Sequence, residues 1–448
     1  MTSSLLAATI IAALGGLLFG FDTAVISGTT DWLTSVYNLS SFALGFTVAS
    51  ALIGTILGAL GAGKPSDLLG RRLTLFFIAI LYFVSAVGTA LAWDWYSFLF
   101  FRFIGGLGVG GASVVSPMYI AEISPARLRG RLVAITQFNI VFGILLAFFS
   151  NYIIKEMHLG PTEWRWMFGV EAFPAAAFFL LLFLTPESPR WLVGQRRSNE
   201  ARNVLARMGT DTGNAEQEIA EIQASLDLEH HSLREPLFQK SYTKPVLLAV
   251  AIAMFNQLSG INAVLYYAPH ILKMTGVGED TAFLQAVAIG GTNLIFTMAA
   301  LAVIDHFGRR KLMLVGSLGY ILSLGTTAAA FYKYQGDFTP AGGTAVLIGL
   351  LVFIASHAFG QGAVIWVFIS EIFPNRVRAR GQALGSFTHW VMAALISWTF
   401  PMLADLSGGH VFAFYTLMMV LQLLWVLFVM PETKGIPLEQ IQKRLGIR

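Results

Sequence analysis

The sequence predicts an all-α membrane protein: twelve transmembrane helices in two six-helix halves, with both termini in the cytoplasm. Three observations predict it. Hydrophobic residues make up 56% of the 448 and charged residues 12%, about half the charged share of a soluble domain. Apolar runs close to the roughly 20 residues that cross a bilayer occur twelve times. Three short motifs in the breaks between runs appear twice, in the same order.

The runs fall at about 5–28, 41–63, 73–92, 96–121, 132–154 and 166–185, then at about 244–273, 281–304, 312–332, 342–370, 382–404 and 411–430. The first is too long, and lacks the basic start, for a cleaved signal peptide. Of 29 Lys and Arg, 24 lie in the breaks on the side of the termini. Four (Lys155, Arg165, Lys273 and Lys333) lie on the other side, and Arg102 lies inside a run. That bias places the termini in the cytoplasm. It also accounts for a pI near 9.2, so basicity is no sign of a nucleic-acid partner. With no cysteine, disulfides and thiolate metal sites are excluded, and no other metal or cofactor site is expected. Asn38-Leu39-Ser40 is a glycosylation sequon on the outer side, of a kind that arises often by chance.

Asp67-x-x-Gly-Arg-Arg72 recurs as Asp305-x-x-Gly-Arg-Arg310, Glu122-x-x-Pro-x-Arg-x-Arg129 as Glu371-x-x-Pro-x-Arg-x-Arg378, and Pro186-Glu-Ser188 as Pro431-Glu-Thr433. The motifs follow the second, fourth and sixth runs of each half. The expected domains are therefore a first half, 1–185, a cytoplasmic linker, 186–243, a second half, 244–430, and a tail, 431–448. Two parallel halves are the arrangement of transporters that bind at the midplane. Within the linker, Ser198 to Met208 reads as a Ser-capped helix and Asn214 to Leu228 as an acidic amphipathic one. Neither carries a catalytic constellation.

Two features stand out against the apolar background. Phe255 to Pro269 carries Asn256, Gln257, Ser259, Asn262, Tyr266 and Tyr267 at bilayer depth, with Gly260 and Pro269 able to break the helix. On an ideal helix Gln257 and Asn262 lie about 140° apart, so they converge only if the helix distorts near Gly260. Neutral donors and acceptors beside aromatic faces suit a neutral polyhydroxyl ligand, a sugar, while hydrogen bonding between helices explains the same residues. The second feature is charge: Asp22 lies mid-run in the first span and Arg102 near the start of the fourth. A charge at the bilayer centre costs about 2.5–3.5 kcal/mol on insertion scales, so a pair is expected, either static or titrating.

Pro186-Glu-Ser-Pro-Arg-Trp-Leu192, the paired Gly-Arg-Arg loops, Gln257-Leu-Ser-Gly-Ile-Asn262 and Pro431-Glu-Thr-Lys-Gly435 together resemble the sugar porter family of the major facilitator superfamily, over nearly the whole chain. The likeness is greater to bacterial sugar–proton symporters, the xylose and glucose permeases, than to facilitative glucose transporters. The resemblance implies sugar contacts at Gln137, Asn256, Gln257, Asn262, Tyr267, Asn293, Trp366, His389 and Trp390. It implies proton coupling at Asp22, with Arg102 as partner and Glu171 as a second buried carboxylate. Cytoplasmic gate clusters are expected from Arg71, Arg72, Glu122, Arg129 and Arg190 in one half, and from Arg309, Arg310, Glu371 and Arg378 in the other. Three departures put the identity of the sugar in question. Asn256 replaces the first Gln of a usual Gln-Gln pair, and His389 stands where Asn or Gln is usual. Ala363 and Ile365 replace prolines, leaving Gly360 and Gly362 as the flexible points of the tenth span.

The expected function is proton-coupled transport of a monosaccharide by alternating access, by a monomer in a bacterial inner membrane. Its partners are the sugar, protons and the lipid bilayer. An uncoupled facilitator is the alternative. A transporter-like sugar receptor is a third reading, set against the short stretch after Pro431. No nucleophile–base set or nucleotide loop points to an enzyme.

Overall fold

The computed structural model describes residues 2–125, 127–209, 212–232, 235–374, 376–436, 440–441 and 445 and, for 212–214, 227–232 and 305, the backbone alone. Among the described residues there is no strand, and twelve helical spans are long and apolar enough to cross a membrane. In order they are Ser3–Gly28, Ser41–Gly61, Arg71–Ala90, Trp95–Ile123, Arg129–Glu156 and Gly160–Leu184, then Lys240–Tyr266, Glu279–Ile304, Arg309–Tyr334, Pro340–Ile372, Arg378–Leu406 and Gly408–Phe428. The third, fifth, ninth and eleventh spans each begin on an arginine, two to four residues before the apolar run. Hydropathy stops at the charge, whereas the backbone goes on hydrogen bonding through it.

The seventh span is not one helix. Thr243–Leu258 ends at Gly260, a short helix Ile261–Tyr266 follows, and a third, Ala268–Lys273, starts after Tyr267. Gly260 has φ +85°, and a Cβ there would stand 2.4 Å from the Tyr415 ring, so both the backbone and the neighbour demand glycine. The tenth span changes pitch: Pro340–His357 runs into a π-helical turn, Ala358–Gly362, and then into Ala363–Ile372. There the Gln361 amide donates to Gln422, which donates to Ser317 at 2.8 Å. The linker helix Ser198–Met208 begins on Ser198 itself, with Arg197 at the cap position and bonded to Glu200. The second linker helix covers Thr212–Ser232, longer than expected at both ends.

Contacts divide the chain into two compact units. The first takes Met1–Thr23, Ile53–Ala147 and Arg165–Arg234, around a core that includes Leu75, Tyr82, Val115, Tyr119 and Phe178. The second takes Ala24–Leu52, Phe148–Trp164 and Glu235–Arg448, around Ile252, Met313, Val364, Phe368 and Phe373. The boundaries cut the first, second, fifth and sixth spans partway, so the outer ends of these spans fold with the second half of the sequence.

Candidate functional site

In the first unit the buried charges meet. Arg102 Nη1 donates to Asp22 Oδ1 at 2.6 Å and Nη2 to the Asp22 carbonyl at 3.3 Å. The guanidinium lies over the Phe168 ring, 5.3 Å from its centroid. Glu171 falls between the helical segments Glu163–Gly169 and Ala172–Leu181, buried and within Coulombic reach of both Asp22 and Arg102. Arg102 Nε and Glu171 Oε1 have no hydrogen-bond partner among the described residues. Two carboxylates and one guanidinium carry a net charge of −1 when all are ionised, and one proton neutralises the group. A low-dielectric interior favours that neutral state. Tyr82, which the sequence did not single out, lies within Coulombic reach of both carboxylates, its hydroxyl 3.4 Å from the Gly15 carbonyl.

In the second unit the break of the seventh span sets out polar groups. Gln257 Nε2 donates to Asn256 Oδ1 at 3.1 Å and stands 3.3 Å from His389 Nε2. The His389 ring lies 5.1 Å from Trp366 and 4.9 Å from Trp390, centroid to centroid. So Asn256, Gln257, His389, Trp366 and Trp390 form one group. Gln257 Oε1 and Asn262 Nδ2 are buried with no protein partner among the described residues. An acceptor and a donor on either side of the Gly260 break are what a sugar hydroxyl pair can satisfy. Tyr267 is held elsewhere: its hydroxyl donates to the Ser397 carbonyl at 2.9 Å and its ring packs on Phe400. Asn293 is buried and accepts from Thr297 at 3.4 Å. Gln137 is half-buried on the fifth span, in the first unit.

At the cytoplasmic ends, the repeat in sequence is a repeat in geometry. Arg71 grips Glu122 with Nε and Nη2 at 2.8 and 3.0 Å, and Arg309 grips Glu371 at 3.2 and 2.8 Å. Ser188 donates to Glu122 at 2.5 Å and Thr433 to Glu371 at 2.6 Å. Sequence reading missed Glu187 and Glu432, although both lie in the third repeated motif. Glu187 accepts from the backbone N–H groups of Arg71 and Arg72 at 2.9 and 3.1 Å, and Glu432 from those of Arg309 and Arg310 at 3.0 Å each. A carboxylate at a helix N-terminus offsets arginines that sit at the wrong end of the dipole. Burial pushes the Glu187 carboxyl up, against the pull of the Ser188, Arg72 and Arg71 N–H groups. Arg72 and Arg310 cap the carbonyls of Leu182 and Phe183, and of Val426 and Leu427. Arg129, Arg378 and Arg190 turn to the Ala121 carbonyl, the Phe373 carbonyl and the Ser225 hydroxyl.

The profile of the family described as "Sugar (and other) transporter" matches residues 8–445. The chain is 39% identical to a D-xylose-proton symporter of Escherichia coli, over 98% of this chain and 96% of that one. It is 36% identical to a glucose transport protein of Synechocystis, over 96% and 95%. Its fold is similar to the inward-open conformation of the E. coli xylose transporter, with a TM-score of 0.87 at 38% identity, covering 98% of this chain and 99% of that one. A matched profile over nearly the whole length, twelve spans and two repeated halves agree: the chain is a multi-pass membrane protein of the sugar transporter family, with the fold of the major facilitator superfamily.

Proposed function

We propose that this chain carries a monosaccharide together with a proton across the membrane by alternating access. The observation that carries the coupling is the buried group of Asp22, Arg102 and Glu171, which one proton makes electrically neutral. With Asp22 ionised, Arg102 ties the first span to the fourth. With a proton on Asp22, that tie is released and the loaded carrier is free to turn. Protonation must bias the conformational equilibrium for sugar to move uphill. The name of the E. coli relative supports the proton and the pentose class, and the unpartnered Gln257 Oε1 and Asn262 Nδ2 support a hydroxyl-rich ligand. We read Gln137, Asn256, Gln257, Asn262, Asn293, Trp366, His389 and Trp390 as sugar contacts, Tyr267 as a gate beside them, and the Arg–Glu clusters as the cytoplasmic gate. The carrier acts as a monomer in a bacterial inner membrane.

The test is accumulation against exchange in proteoliposomes under an inward proton gradient. Asp22→Asn imitates the neutral state at nearly constant volume. It abolishes pH-driven accumulation of sugar and spares sugar–sugar exchange, which needs no net proton movement. An Asn variant that still concentrates sugar sinks the assignment of Asp22. A wild type that never concentrates any sugar it transports makes the chain a facilitator and the pair a structural one.

A further inference from the structure

The second unit holds a run of charges on the outer side of the membrane. Asp31 lies in the short helix Thr30–Tyr37 after the first span, Lys155 at the end of the fifth and Glu163 at the start of the helix that follows. These come from the first half of the sequence. His270 and Lys273 end the last piece of the seventh span, and Glu279 opens the eighth. These come from the second half. In space they alternate in sign: Glu163 meets Lys155 at 3.3 Å, Lys155 meets Glu279 at 3.0 Å and Glu279 meets Lys273 at 3.5 Å. Lys273 in turn bonds Asp31, which His270 Nδ1 also meets at 3.1 Å. The Lys155 ammonium further lies 6.0 Å from the Trp32 ring centroid. Helix-dipole complementarity explains a lysine at each helix end and a glutamate at each helix start. It does not explain why three of the contacts, Asp31–His270, Asp31–Lys273 and Lys155–Glu279, join residues from opposite halves of the sequence.

Apolar contacts flank the charges. Phe42 and Phe46 of the second span lie 5.3 and 5.1 Å from Trp398 of the eleventh. Ser41 donates to Asp405. The inner clusters are different, since each Arg–Glu pair there stays within one half of the sequence. We propose that the run from Glu163 to His270 is an outer ion lock that holds the external ends of the two halves together and must open each time the carrier faces out. The proposal rests on the alternating-access reading above. Asp31 is not the proton site. Desolvation raises the Asp31 carboxyl, but the His270 hydrogen bond and the Lys273 charge outweigh it and hold it well below the usual carboxylate range. A carboxylate held low stays ionised until strongly acid pH, so through Asp31 the lock ignores the protons that drive transport.

The chain has no cysteine, so spin labels can be placed without clearing a background. Ser35→Cys and Thr281→Cys put labels on exposed outer positions of the two halves. In the labelled wild type, sugar and pH redistribute the distances between labels if the carrier alternates. Asp31→Asn raises the ratio of the longer, outward-open distances to the shorter ones about two- to fivefold, the worth of a partly exposed ion pair. Lys155→Gln shifts it the same way. Asp94→Asn, which breaks the helix cap of Asp94 on Ser97 on the same side of the membrane, leaves the ratio unchanged and controls for general loosening. A wild type that responds to sugar while both lock variants match it overturns the lock and leaves the transport reading intact. A wild type with no response to sugar or pH overturns alternating access itself. As a second measurement, Asp31→Cys with Lys273→Cys, joined by a short reversible crosslinker, stops transport until reductant is added. Continued transport with the crosslink in place refutes the lock.

Discussion

Gln257 has one amide with three demands on it: Asn256 takes its N–H, His389 stands at hydrogen-bond distance from the same nitrogen, and its Oε1 has no protein partner among the described residues. Replacing it by Ala removes the acceptor and leaves a sugar hydroxyl unpaired. That loss is about 1–3 kcal/mol, so sugar affinity falls about five- to 150-fold while the protein still folds. Equilibrium binding on the purified carrier checks it, and unchanged affinity removes Gln257 from the site. His389 separates stacking from hydrogen bonding. A ring nitrogen that faces an amide N–H must act as acceptor, so the contact needs the neutral ring. His389→Asn keeps an acceptor, and affinity stays within about threefold. His389→Phe keeps the ring between Trp366 and Trp390 but loses the acceptor, and affinity falls about tenfold, the worth of one hydrogen bond. A loss in the Asn variant with none in the Phe variant points to stacking alone.

At the scale of elements, the repeated loops are helix starts. Gly70 and Gly308 have φ +95° and +88°, and a Cβ at either would stand 2.4 or 2.8 Å from a carboxylate oxygen of Glu187 or Glu432. Glycine thus permits a turn that no other residue makes easily, and it opens the space through which the carboxylate reaches the Arg–Arg N–H groups. Glu432→Ala strands those donors and lowers stability by about 1–3 kcal/mol, read as a drop in thermal midpoint in detergent. Glu432→Gln keeps one acceptor oxygen and loses less. If the two variants unfold at the same temperature, the backbone contacts contribute nothing. The sequence showed that these loops matter, because the motifs recur, but not why. Pro186-Glu-Ser188 and Pro431-Glu-Thr433 lie 115 residues or more from the helix starts they cap, and no local pattern encodes that reach. The break in the seventh span was legible, since Gly260 could break the helix there. The π-turn of the tenth span was half legible: Gly360 and Gly362 marked the place, while its tether, Gln361 to Gln422 to Ser317, needed the packing of three helices. Likewise Asp22 and Arg102 could be paired from the cost of lone buried charges, but Tyr82 beside them looked like one more aromatic in an apolar run.

For the whole molecule, alternating access sets one condition: the contacts that close the outside and those that close the inside cannot both be slack. In this structure the outer ends of the first, second, fifth and sixth spans belong to one unit with the second half, held by Asp31–Lys273, Lys155–Glu279 and the Trp398 contacts. Weakening the outer contacts favours the outward-facing state. Glu371, read as part of the inner lock, makes the opposite prediction. Glu371→Gln leaves Arg309 with a weaker partner, loosens the closed inside and raises the inward-facing population about two- to fivefold. Cysteine probes on the cytoplasmic face then label faster, and the Ser35–Thr281 label distances shorten on average. Asp31 and Glu371 act on opposite sides of a hydrocarbon layer about 30 Å thick, so their effects on the equilibrium should multiply independently. Opposed factors of similar size cancel, and the double variant Asp31→Asn with Glu371→Gln returns to within about twofold of the wild-type ratio. That cancellation is the sharper outcome, because two variants that merely damage the fold add their damage. If Glu371→Gln leaves cytoplasmic labelling unchanged and only lowers the thermal midpoint, the Arg309–Glu371 pair is a brace within its own half. The inside is then closed by other contacts.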